Sequence, residues 1–295
     1  IMVSITPFGQ TGPYKDYRAS DIVGWAMGGI MYLSGDPDRP PVRVSFPQAY
    51  LHAGTQAAIG ALIAHYHRET TGEGQHVDGA MQQGVSWITM DAPGYWDLLK
   101  IDLKRAGIVR ERLLPGGVIR MRQVYPCRDG YVLMYVFGGL LGARPNQALD
   151  EWMVSEGIST EHLKGFGWPA FDMATITPEQ YDTIAETVAN FLMTHTKAEL
   201  YEGAIERSIM MVPVSTIKDI VEDPQLKARD FWVEVEHPEL EASITYPGPW
   251  AKFSETPLTR WQRAPLIGEH NGEVYERELG FSKEELAVLK QAKVI

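Results

Sequence analysis

Apolar and polar positions alternate in some stretches of this chain and cycle with a helical period in others, which predicts a mixture of strands and helices. Met2-Val3-Ser4-Ile5 reads as a buried strand that runs straight into the Gly/Pro loop Thr6–Pro13. Asp21 to Tyr32 is a small-residue segment with Gly24, Gly28 and Gly29, followed by a Pro/Gly turn at Gly35–Pro41. Val42-Arg43-Val44-Ser45-Phe46 alternates as a short strand. Leu51 to Arg68 reads as a buried helix whose Ala53, Gly54, Ala57, Ala58, Gly60, Ala61 and Ala64 give it narrow faces. Glycine costs roughly 1 kcal/mol in a helix interior, so two of them imply compensation by close packing. Gly72 and Gly74 stop this helix, and Gln75–Met81 returns the chain to the core.

Further on, Tyr131–Val136 is a strand candidate, and Pro178–Thr194 and Lys197–Arg207 are amphipathic helices. Ile217–Val221 opens a helical turn toward Asp223–Leu226, and Phe231–Glu236 alternates as a half-exposed strand. Ser282, with Glu285 three residues later, matches a capping box for a last helix reaching Lys293. Strands and helices intermix throughout, so the expected class is α/β.

Composition narrows the reading. The 295 residues are 44% apolar and carry 38 acidic against 27 basic side chains, a formal net charge of −11. That length buries a substantial core, and the balance is globular rather than disordered. The acidity argues against a nucleic-acid partner, which needs a basic footprint. No apolar run is long enough to span a bilayer, which argues against a membrane partner, and a single cysteine fits a reducing, cytoplasmic compartment. The charge is uneven: residues 1–120 hold 11 basic and 11 acidic side chains, so the excess of acid lies beyond them. An anionic ligand finds the first part the easier host. The chain opens on Ile1, inside a strand leading to a functional-looking loop, and is expected to be a fragment or a processed chain.

Several familiar chemistries are absent. There is no nucleophile elbow, phosphate-binding P-loop or HExxH zinc motif. His65 and His67 point about 200° apart on a helix and share no metal. Cys127 reads as a packing residue, because the sequence supplies no histidine partner for it. The Gly/Pro loop can present backbone N–H groups to an anion, or serve only as a tight connection.

The run from Ser4 to Met81 resembles the family III CoA-transferases, the group that contains formyl-CoA transferase and carnitine CoA-transferase. The matching pieces are Ser4–Tyr14, Gly35–Pro41 and His67–Asp78, with Glu222–Leu226 and Ala264–His270 toward the end, in the family's order. The resemblance implies a large α/β domain formed from both ends of the chain, with a smaller α/β domain inserted. On this chain that division is 1–114 and 222–295 for the large domain and 115–221 for the small domain with its linkers. It also implies interlocked dimers, a further Rossmann-like portion ahead of the first residue here, and coenzyme A or an acyl-CoA as substrate rather than as a permanently bound cofactor. No metal is implied.

In that family an aspartate attacks the acyl-CoA, a mixed anhydride forms, and the released CoA thiolate then gives an aspartyl-CoA thioester that the acceptor acid resolves. The aspartate stands four residues before the glycine that starts the helix. Here that glycine is Gly54, and the nucleophile position holds Tyr50, whose phenol, with a pKa near ~10, is no substitute for a carboxylate. No acidic residue lies between Arg39 and Glu69. The expected function is transfer of CoA between an acyl-CoA and a carboxylic acid. The alternatives are a catalytically silent subunit pairing with an active paralogue, as homodimer gives way to heterodimer, and a 2-methylacyl-CoA racemase-like isomerase. The last fits less well, since Ser20 and Tyr50 stand where its histidine and aspartate belong. By the same resemblance Lys15 and Tyr17 contact CoA, and Arg18 replaces an acidic residue. The glycine loop that closes over the thioester is expected at Pro115-Gly116-Gly117 or Gly138-Gly139. Trp87, Tyr95 and Trp96 line an acyl pocket or pack as core.

Overall fold

The computed structural model describes residues 1–114, 117–168 and 171–295. They form two compact units, Ile1–Val214 and Ser215–Ile295.

The first unit begins with β1 (Met2–Thr6), followed by α1 (Asp21–Met27), α2 (Ile30–Leu33) and the long α3 (Ala49–Thr71). Strand β2 (His76–Ala80) then pairs parallel with β1, from Met2 opposite His76 to Thr6 opposite Ala80. The expected first strand and first long helix are therefore present, the helix two residues longer at its start and three at its end. Gly72 adopts a left-handed conformation (φ 78°) and donates its N–H to the Arg68 carbonyl, closing α3 as the sequence implied. The small-residue segment breaks into two helices at Gly29, whose φ of 93° only glycine takes without strain.

Val42–Phe46 is not a strand. No neighbouring strand pairs with it; the Val42 N–H goes to the Ser34 carbonyl, and Val44 rests on the cluster of Trp25, Ala49, Ala53, Met81 and Val85. Of its alternating apolar residues only Val44 is packed, and Val42 and Phe46 are exposed. Helix α4 (Met81–Ser86) lies directly on α3: a Cβ added at Gly84 would sit 3.0 Å from the Ala53 amide nitrogen. A Cβ on Gly60 would meet the Val77 side chain at 2.7 Å, so the glycine in the middle of α3 lets β2 approach. Helix α3 is apolar on its outer side as well, where Leu51, Leu62 and Tyr66 are exposed.

After α5 (Ala92–Leu99) come the antiparallel pair β3 (Val109–Leu114) and β4 (Gly117–Arg122), then β5 (Val124–Cys127) and β6 (Gly130–Met134). Helices α6 (Gly139–Ser155), α7 (Pro178–Leu192) and α8 (Lys197–Arg207) follow, and β7 (Met211–Pro213) completes the three-stranded antiparallel sheet β5-β6-β7. This half holds the larger core, with Tyr125, Val132, Trp152, Tyr181, Phe191 and Leu200 all buried. Both amphipathic helices are where their periodicity put them, and Thr177 and Thr196 cap them through reciprocal bonds with Gln180 and Glu199. Cys127 is buried, and burial pushes its thiol pKa up, consistent with a packing role.

In the second unit, α9 (Ile217–Glu222) and α10 (Pro224–Ala228) lead to the antiparallel pair β8 (Trp232–His237) and β9 (Ala242–Pro247). A short π-helix, Gly272–Glu278, and α11 (Lys283–Gln291) close the chain, the latter capped by Ser282 and Glu285 as expected. Arg263 is clamped between Glu239 (2.9 Å) and Glu269 (2.7 Å).

Candidate functional site

The loop after β1 is built from its own backbone. Gly9 (φ 87°) and Gly12 (φ 84°) are left-handed, and the Gly9 N–H donates to Thr6 Oγ1 at 2.9 Å. The Gln10 N–H donates to Asp78 Oδ2 at 2.8 Å. Two of the amides that could have faced an anion are thus already bonded within the protein. Phe8, Tyr14 and Tyr17 form an aromatic cluster, with the Tyr14 and Tyr17 rings 5.1 Å apart. Lys15 is exposed between the two tyrosines, and among the described residues no carboxylate lies within ion-pair distance of it. Lys15 and Tyr17 therefore present one cation and one aromatic face to solvent on the same loop.

Tyr50 is the second residue of α3 and is 41% exposed. The residue before the helix, Gln48, makes no side-chain cap. The cap comes from elsewhere: Asp21 Oδ1 accepts the Ala49 N–H at 2.6 Å across 28 residues of sequence. A negative charge is well placed at a helix N-terminus, where the macrodipole is positive. Sequence reasoning sought an acid between Arg39 and Glu69 and missed this one, because only the fold folds α1 back onto the start of α3. His52, one turn in, packs edge-on against Trp25 at 5.9 Å. Trp25 Nε1 is buried without a hydrogen-bond partner, a polar atom left over at the base of this region.

A cavity of about 910 Å³ lies elsewhere in the first unit. Tyr95 lines it, whereas Trp87 and Trp96 are largely exposed and do not. Of the two glycine-loop candidates, Pro115 and Gly116 lie outside the described residues. Gly138 and Gly139 line the cavity at the N-terminus of α6, where a Cβ on Gly138 would be 2.7 Å from the Met173 amide nitrogen. Tyr125 and Tyr181 are buried neighbours. Burial pushes the Tyr125 phenol up to about 12, and burial together with Tyr125 raises Tyr181 further. Neither ionises near neutral pH. Neither Lys15, Tyr17 nor Tyr50 lines the cavity.

Among the described residues no three His, Cys, Asp or Glu side chains come together as a metal site, and no helix is long and apolar enough to cross a membrane.

Comparison with known proteins agrees over nearly the whole chain. The chain is 33% identical over 283 residues to the succinyl-CoA:(R)-benzylsuccinate CoA-transferase subunit BbsE of Thauera aromatica, covering 93% of this chain and 64% of that protein. It is 32% identical to a formyl-CoA:oxalate CoA-transferase of Streptomyces avermitilis, covering all of this chain and 71% of that one. The chain therefore spans about two thirds of the length of the curated relatives it matches. The crystal structure of a CAIB/BAIF family protein from Brucella suis superposes with a TM-score of 0.71 at 23% identity, over 93% of this chain and 67% of that one, a likeness of fold. The family model for CoA-transferase family III matches residues 1–271, and the chain belongs to that family.

Proposed function

We propose that this protein transfers CoA between an acyl-CoA and a carboxylic acid. The family match across residues 1–271 carries the reading, and the named activities of its relatives, on succinyl-CoA and formyl-CoA, supply the chemistry. CoA enters and leaves as substrate. Lys15 meets one of its phosphates as a point charge and Tyr17 lies along it, which suits the exposed, ion-pair-free ammonium beside an aromatic ring. The protein works in the cytoplasm, as a dimer whose large domain comprises 1–114 and 222–295 and whose small domain comprises 115–221.

The nucleophile position decides how much of this chemistry the chain performs by itself. A carboxylate attacking a thioester carbonyl forms a mixed anhydride and expels the CoA thiolate, which then attacks the enzyme's acyl carbon and releases the first carboxylic acid. At position 50 this chain has a phenol in place of that carboxylate. A second reading follows: the chain is the non-nucleophilic member of a heteromer, its paralogue supplying the aspartate. Tyr50 favours it, and two relatives carry subunit names, BbsE and the beta subunit of a succinyl-CoA--L-malate CoA-transferase from Chloroflexus aurantiacus.

The experiment is CoA exchange from succinyl-CoA to a panel of carboxylic acids, followed by mass spectrometry, with the chain alone and co-expressed with a homologue that keeps the aspartate. Exchange in either arm supports transfer, and exchange only in the second supports the heteromer. No exchange and no complex in both arms would overturn the proposal.

A further inference from the structure

The cavity in the first unit has a chemistry of its own. Tyr135 and Phe137 stack on its wall with centroids 5.3 Å apart and planes 17° apart, a platform that a further flat ring can extend. Phe137 is fixed from behind by the buried Asn146, whose side-chain amide donates to the Phe137 carbonyl at 2.7 Å.

Three cations border the same space, Lys104, Arg110 and Arg122, and among the described residues none has a carboxylate within ion-pair distance. Arg122 is held in place: its Nε donates to the Val124 carbonyl at 3.1 Å and its guanidinium lies 4.9 Å from the Tyr125 ring centre. Its terminal nitrogens keep their donors for a ligand. The N-terminus of α6 also opens here. This helix is 17 residues long and is preceded by Gly138, which offers no capping side chain; the amide of its first residue, Gly139, already donates to the Phe171 carbonyl.

Four acids border the cavity too. Glu111 is engaged by Arg120 at 3.6 Å, and Asp172 Oδ1 accepts the Ala174 N–H at 2.9 Å. Asp91, Asp102 and Asp172 keep their charge against Lys104, Arg110 and Arg122, so the lining is near balance and the open Arg122 donors are what an anion meets.

We infer that this cavity binds a carboxylic acid bearing an aromatic ring, the ring continuing the Tyr135–Phe137 stack and the carboxylate meeting the terminal nitrogens of Arg122. The volume is in the range of sites that enclose small molecules, and the pairing of apolar platform with a few placed polar groups is how such sites select orientation. Tyr50 does not line the cavity, so this binding stands independently of the transfer reading above.

The test is calorimetric titration of the full chain with 3-phenylpropanoate, 3-phenylpropanamide and hexanoate. The aromatic acid is expected to bind at least about tenfold more tightly than its neutral amide and than the aliphatic acid. Arg122→Met is expected to remove that preference for acid over amide, and Tyr135→Ala the preference for aromatic over aliphatic. Should loss of the Arg122–Val124 bond prevent folding, Arg110→Gln at the exposed rim reports the charge instead, with an expected weakening of about threefold for the acid alone. Absence of saturable binding, equal binding of acid and amide, or variants without effect would each overturn the assignment. Acid binding without CoA exchange keeps the cavity assignment and removes the transfer reading. Exchange onto aromatic acids that survives Arg122→Met and Tyr135→Ala unchanged does the reverse.

Discussion

Asp21 holds the first amide of α3: its Oδ1 sits 2.6 Å from the Ala49 nitrogen, immediately before Tyr50. The helix that carries Tyr50 is thereby anchored by a carboxylate from α1 rather than by its own N-cap, Gln48. Removing that anchor has a predictable cost. Asp21→Ala should destabilise the first unit by about 1 kcal/mol, whereas Asp21→Asn, which still accepts the bond, should lose only part of that. Urea denaturation of the two variants side by side checks the order.

Tyr50→Asp tests the vacancy directly. An acid in the first turn of α3 suits the helix dipole, so the variant should fold with unchanged or slightly raised stability. Exchange from succinyl-CoA should rise by at least about tenfold if the remainder of the site is intact, because a carboxylate nucleophile is restored. Hydroxylamine trapping followed by peptide mass spectrometry should then locate the modification at residue 50 and nowhere else.

The contact between α3 and α4 tolerates no side chain at Gly84. A Cβ there meets the backbone of Ala53 at 3.0–3.1 Å, and backbone has little freedom to retreat. Gly84→Ala should cost about 1–3 kcal/mol from overpacking, outweighing the better helix propensity of alanine. Its thermal midpoint, compared with that of Gly94→Ala, where no atom lies within 4 Å, separates the two effects.

In the second unit, the Arg263 guanidinium and the Leu266 amide hold the Glu269 carboxyl down to about 2. A folded-state pKa below the unfolded value means stability that is present above about pH 4.3 and is lost as pH falls toward 2. Hydrogen exchange at the Leu266 amide should accelerate across that window. In Arg263→Met the acceleration should begin at higher pH, because the carboxyl protonates earlier.

Cys127 should resist alkylation by iodoacetamide at pH 7.5 in the native chain and react promptly in urea. Burial both shields the thiol and raises its pKa. Mass spectrometry of the intact chain before and after unfolding measures it.

What the sequence made legible was local. Gly72 ending α3, Ser282 and Glu285 opening α11, and the apolar stripes of α7 and α8 each depend on residues a few positions apart, and each is found in place. Val42–Phe46 has the pattern of a strand but finds no partner strand, and pairing is a property of the whole fold. The hairpin β3–β4 has three consecutive charged residues in its first strand, Arg110, Glu111 and Arg112, and so lacks strand alternation in sequence; its pairing is a cross-strand property. Site residues divide the same way. Tyr50, Lys15 and Tyr17 are proposed from short motifs, while the Asp21 cap and the convergence of Arg122 with Tyr135 and Gly138 bring together residues that no short motif connects.

The parallel pairing of Met2 with His76 also dictates an order of events during synthesis. Strand β1 leaves the ribosome before β2, which follows only after α1, α2 and α3 have been made. At about 5–20 residues per second, Met2–Thr6 waits several seconds with its backbone groups open before β2 arrives. Helix α3 packs on both strands and is made before β2, so it is in place as the template on which this pair is closed. Slowing translation between Thr71 and Ala80 would lengthen that interval and raise the yield of aggregated nascent chain, whereas the same pause placed after Ala80 would not.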